Sequence, residues 1–105
     1  MLIKEFVGLE PRIQKDTAHK AISKHVKPER QLDCRIMIDN DLELFVLFLK
    51  ATDQLLQNGV HHYGARSIVE HLRFHSAAHG KDVTFKINNN LPPLFARVAL
   101  AMFDE

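Results

Sequence analysis

Residues 34–57 read CRIMIDNDLELFVLFLKATDQLLQ, and the way this run is divided decides the fold. Cys34, Ile36 and Ile38 alternate with Arg35 and Met37, the period-two signal of a strand with one buried face. Asp39-Asn40-Asp41 offers a turn followed by a helix N-cap. Residues 42–57 predict a helix. Leu42, Leu44, Phe45, Val46, Leu47, Phe48 and Leu49 surround it on nearly every side, and a helix of that kind belongs at the centre of a core. Asn58-Gly59 ends it, because glycine readily takes the left-handed conformation that closes a helix.

Outward from this run, residues 2–7 are a short mixed apolar stretch, expected as a strand and ended by Gly8. Pro11 suits the first turn of a helix, where its missing N–H is not needed, and Pro28 closes that helix after about Val26. Its apolar face is Ala18, Ala21, Ile22 and His25. On the other side, a helix is predicted over 65–78, with Ala65, Ile68, Val69 and Leu72 inward and Arg66, Glu70 and Arg73 opposite. Gly80 ends it. Val83, Phe85 and Ile87 then alternate with Thr84 and Lys86 as a further short strand. Asn88, Asn89 and Asn90 can cap a last helix over 91–103, whose seam is Leu91, Phe95, Val98 and Met102. The expected fold is α+β: a helix-rich single domain over residues 1–105, with about four helices and two or three short strands.

With 105 residues, 46% of them apolar and 26% charged, the chain suits one compact domain. The formal net charge of +1 names no partner by itself. The lone Cys34 excludes an internal disulfide and a Cys-only zinc site. No apolar run reaches the roughly 18 residues of a membrane span, and residues 1–9, with Lys4 and Glu5, lack a signal-peptide core. A cytoplasmic location without membrane attachment is expected.

The distribution of residues able to do chemistry points to binding. His71, His75 and His79 fall at i, i+4 and i+8, a spacing that can chelate a metal, but no carboxylate joins them and no metal or other cofactor is expected. Cys34 has no local activating group, and Ser23, Ser67 and Ser76 lack a nucleophile-elbow context, so no catalytic residue is assigned. Charge is uneven. Residues 1–30 hold seven Lys or Arg against four acids, and residues 31–59 hold two against five. Lys20, Lys24 and Lys27, at i, i+4 and i+7, form a stripe that can meet phosphates. Arg66, Arg73, Lys86, Asn88, Asn89, Asn90 and Arg97 can join it, since amides and guanidiniums hold phosphates or pair with base edges. The acids Asp33, Asp39, Asp41, Glu43 and Asp53 could instead face a basic surface on another protein.

One stretch is familiar. Asn40 with Phe45 and Phe48, then His62-Tyr63 with Ala65, Ile68 and Arg73, lead to FKINNN at 85–90, followed by Pro93, Ala96-Arg97 and Met102. Over residues 40–102 this resembles a widespread group of small phage and prophage proteins of unknown function. The resemblance implies a phage-related origin and a winged-helix-like core over 40–103, with residues 1–38 as an N-terminal elaboration. It brings no catalytic residues. Two functions are in view. The first is a nucleic-acid-binding accessory or regulatory protein of helix-turn-helix-like character, with DNA as partner. The alternative is a protein-binding inhibitor of a host defence system, such as CRISPR, or of a nucleic-acid enzyme, acting through the acidic strip in the host cytoplasm. A homodimer is compatible with either, because residues 42–49, Leu100 and Phe103 offer apolar surface that a second copy could cover.

Overall fold

In a computed structural model, the run 34–57 lies within one helix, α3 (Pro28–Gln57). The structure describes residues 1–59, 64–78 and 91–103, with the backbone alone for residue 71 and residues 73–78. These residues form α1 (Ile3–Val7), α2 (Pro11–His25), α3, α4 (Ala65–Ala78) and α5 (Leu91–Phe103). No strand occurs among them.

The α+β expectation is therefore corrected to a helical protein. The strand expected over 34–38 is helical because its buried residues follow helical spacing. Cys34, Met37, Ile38, Leu42, Phe45 and Leu49 are buried, whereas Ile36 is 49% exposed, so the period-two pattern is broken at its middle position. Asp39-Asn40-Asp41 does not start a new helix. It bends an existing one: Asp41 has non-helical angles, φ −125° and ψ 27°, and the helix resumes beyond it. Asp and Asn cost only about 0.7 kcal/mol each in a helix interior, less than the burial of the apolar residues on both sides contributes. The strand expected over 2–7 is α1. A lone strand there would leave its backbone groups without a ladder, whereas the short helix turns Phe6 inward. The strand expected over 83–87 lies outside the described residues. No strand pair on which a winged-helix core would rest is present among the described residues.

The other helices follow their sequence signals. Pro11 and Pro28 occupy first turns. Asn58 caps the end of α3, and Gly59 takes φ +80°, the left-handed geometry expected of a helix stop. α4 and α5 span 65–78 and 91–103 as predicted. Ile68 and Val69 of α4 are buried, as are Leu91, Phe95 and Val98 of the α5 seam.

α3 packs against all four other helices. Its phenyl rings organise the core: Phe45 meets Phe6 of α1 at 6.2 Å and Phe95 of α5 at 5.8 Å between ring centroids. Phe48 meets Phe95 at 5.3 Å, and Phe103 closes on Phe6 at 5.9 Å. Gln14 is the one buried polar side chain among the described residues, and its Nε2 donates to the carbonyls of Phe6 (3.1 Å) and Val7 (3.3 Å). Those carbonyls end α1, and although that of Phe6 also accepts from Leu9 N–H at 3.1 Å, the buried amide is what fastens α1 to α2. Within the run 42–49, Leu42, Leu44, Phe45, Phe48 and Leu49 are buried within the single chain, and Val46 and Leu47 are half-buried. The 38–40 boundary suggested by the resemblance falls inside α3, and Phe6, Ala18, Ile22 and Cys34 from before it share one core with Phe45 and Phe95. Among the described residues, no helix is long and apolar enough to cross a membrane.

Two truncations test this core. Phe45→Ala should cost about 3–5 kcal/mol, whereas Leu100→Ala, at a residue 62% exposed, should change stability by about 0.5 kcal/mol or less. Urea denaturation measures both, and comparable losses would contradict the central position of Phe45.

Candidate functional site

A cleft of about 680 Å³ opens where the α2–α3 corner faces α5. His25, Val26 and Lys27 come from the corner, Glu29 and Arg30 from the first turn of α3, and Arg97, Leu100 and Ala101 from α5. Arg97, Leu100 and Ala101, at i, i+3 and i+4, share one side of their helix. Lys27, Arg30 and Arg97 outnumber Glu29, and among the described residues none of the three side chains makes a hydrogen bond or ion pair. The amino end of α3 lies at the same corner without a side-chain cap, so its partial positive charge adds to theirs. The carboxyl end of α2 carries the opposite partial charge, offset by Lys24 in its last turn. Arg97 and Arg30 also act on Cys34. Burial raises the pKa of this thiol, and the two guanidiniums oppose that rise. Cys34 is thus a buried thiol kept protonated by its surroundings.

The structure brings only part of the expected basic set together. Lys27 and Arg97, from opposite ends of the chain, line the same cleft. Lys20 is bound at 3.0 Å to Asp16 one turn earlier on α2, and Lys24 is exposed outside the cleft lining. The stripe is thereby divided, because α2 ends at His25 and Lys27 belongs to the corner. Arg66 is exposed on α4, away from the cleft. The side chain of Arg73, and Lys86, Asn88, Asn89 and Asn90, lie outside the described residues, as do the His71, His75 and His79 side chains. Among the described residues, no three His, Cys, Asp or Glu side chains gather as a metal site. Arg30 and His25 were not among the expected site residues. Arg30 stands one helical turn after Lys27, a spacing that could have marked it. His25, assigned to the inner face of α2, is exposed and lines the cleft.

The acids do not form a strip. Asp33 and Asp53 lie twenty positions apart on α3, roughly 30 Å at helical rise. Asp53 accepts a hydrogen bond from Gln57 Nε2 at 3.0 Å. Asp41 is partly buried at the bend. Asp39 and Glu43, one turn apart, border a smaller recess of about 410 Å³ that Lys15 also lines. Asp39 is further engaged by α2. Arg35 Nη1 donates to His19 Nδ1 at 3.3 Å, and a guanidinium can only donate. On its other side, His19 Nε2 donates to Asp39 Oδ1 at 2.8 Å. Arg35 Nη2 also donates to Ser23 Oγ. This relay ties α2 to α3 and absorbs one cation and one anion. No local sequence signal marks it, since His19 and Asp39 are twenty residues apart.

Comparison with known protein families, with curated proteins and with solved structures finds no match to this chain.

Asp39 and Asp41 should respond to pH in opposite senses. The hydrogen bond from His19 holds the Asp39 carboxyl below its ordinary range, with further help from Lys15 and Arg35. A lowered folded pKa gives stability that is present above the unfolded value of about 3.9 and lost as pH falls through the folded value. Burial raises the Asp41 pKa. Its contribution is present below about 3.9 and is lost as pH rises through the folded value. At neutral pH, Asp39→Asn should therefore lower the melting temperature and Asp41→Asn should raise it. Thermal unfolding followed by circular dichroism decides this, and a loss of stability in Asp41→Asn at neutral pH would contradict the burial of that charge.

Proposed function

We propose that this chain is a nucleic-acid-binding accessory or regulatory protein that holds the phosphate backbone in the cleft between the α2–α3 corner and α5. The observation that carries this reading is the meeting of Lys27, Arg30 and Arg97 on one cleft with only Glu29 opposing them. Three unpaired cations on a single concave surface raise the local concentration of an anionic ligand. Release of counterions from neutralised phosphates then supplies the affinity. Arg97 is suited to a phosphate fork because its guanidinium presents paired donors, while Lys27 acts as a mobile point charge. On the resemblance carried by FKINNN we take the setting to be phage-related, where an accessory to DNA processing or transcription fits a small binding protein.

The inhibitor reading has less support. An acidic surface that occupies a nucleic-acid groove needs its charges on one side. Here Asp39 is engaged by His19, Asp41 is partly buried, and Asp33 and Asp53 stand at distant points of α3.

Fluorescence anisotropy of labelled DNA, titrated with the protein at several salt concentrations, tests the proposal. Affinity should fall linearly in log–log form with salt, and Arg97→Gln should weaken binding by roughly threefold to tenfold at low salt. Binding that ignores salt, or an Arg97→Gln variant that binds as the parent does, would remove the cleft as the site.

A further inference from the structure

The cleft combines two surface chemistries. Beside its cations stands Leu100, 62% exposed, with Val26 and Ala101 next to it on the lining. A duplex has little use for that apolar wall. Its base faces are hidden in the stack, and the base edges in its grooves are mainly polar. An unpaired base presents a flat apolar face that gains from leaving water. The placement of charge points the same way. Duplex binding spreads contacts over two backbones across a major groove about 12 Å wide. Here Lys27, Arg30 and Arg97 share one cleft of about 680 Å³, Lys20 is taken by Asp16, and the other cations with described side chains, Lys24 and Arg66 among them, lie outside its lining.

We infer that the cleft takes single-stranded nucleic acid, with Lys27, Arg30 and Arg97 on consecutive phosphates and an unpaired base against Leu100. The inference rests on the nucleic-acid reading above and narrows its ligand. The cleft lining holds no Phe, Tyr or Trp, and the small His25 imidazole is its one aromatic ring, so it lacks the broad stacking platform that strengthens many single-strand sites. Binding is accordingly modest and indifferent to base identity. With about three phosphates neutralised, the log–log salt slope for a single strand is about −2.

The test uses the intact chain and three labelled probes of equal length, about a dozen nucleotides: oligothymidylate, its duplex with oligoadenylate, and an abasic strand. Oligothymidylate should bind about fivefold tighter than the other two, with a slope of about −2. Lys27→Gln, at an exposed residue, should make the slope shallower by about 0.7. Leu100→Ser should weaken oligothymidylate binding by about threefold with no change of slope, because it removes apolar contact and no charge. Both variants alter exposed side chains and leave the core residues in place. Duplex binding as tight as oligothymidylate, with the Lys27→Gln effect retained, would overturn the single-strand inference and leave the nucleic-acid reading standing. An abasic strand that binds equally well, or no response to Leu100→Ser, would overturn the base contact. Failure of all three probes to bind at low salt would overturn both the inference and the reading beneath it.

Discussion

Phe45 sits at the middle of the longest helix and touches Phe6 on one side and Phe95 on the other. Through these contacts the first and last helices are fixed to α3 although they are far apart in sequence. Aromatic side chains bury large areas, and their preference for edge and tilted contacts adds orientation to that burial. Phe48 and Phe103 extend the chain of rings on the α5 and α1 sides. The short α1 would have little stability alone. It is held by Phe6 within this cluster and by the Gln14 amide at its carboxyl end.

The cleft follows from the same packing. Phe95 and Val98 are fully buried, which fixes the rotation of α5 about its axis. That rotation brings Arg97, Leu100 and Ala101 to the α2–α3 corner. Pro28 starts α3 immediately beyond the corner, so Lys27 and Arg30 enter the cleft from the other side. A site assembled by helix packing is more rigidly held than one carried on a loop tip. The polar relay of Ser23, Arg35, His19 and Asp39 braces α2 against α3. It pairs Arg35 and Asp39 with partners within the chain, whereas the side chains of Lys27, Arg30 and Arg97 in the cleft are unpaired.

Much of the helical layout was legible in the sequence. Proline in first turns, Asn58-Gly59 after α3, and the seams of α4 and α5 all operate within a turn or two of the chain. Local rules suffice for signals of that range. The errors fell where a local signal competed with long-range burial. The alternation at 34–38 is real as a pattern, but five residues cannot separate period two from a helical face. Asp39-Asn40-Asp41 did mark a break in regularity, and it emerged as a bend because buried residues continue on both sides. The candidate site was legible only in fragments. Lys27 and Arg97 fell in one candidate set, but Lys20 and Lys24 joined it by a spacing that holds only while one helix continues, and Arg30 was not in it.

The sequence by itself determined that this is a helix-rich chain with an apolar run at its centre and its cationic residues concentrated toward the amino end. These properties depend on residue type and on neighbours within about four positions. Tertiary structure alone decided that residues 28–57 form one bent helix, that Asp39 is engaged by His19, and that Lys27, Arg30 and Arg97 share a cleft. The reason is physical. Burial is a property of surfaces that meet from distant parts of the chain, and its free energy exceeds the small intrinsic preferences that a local pattern expresses.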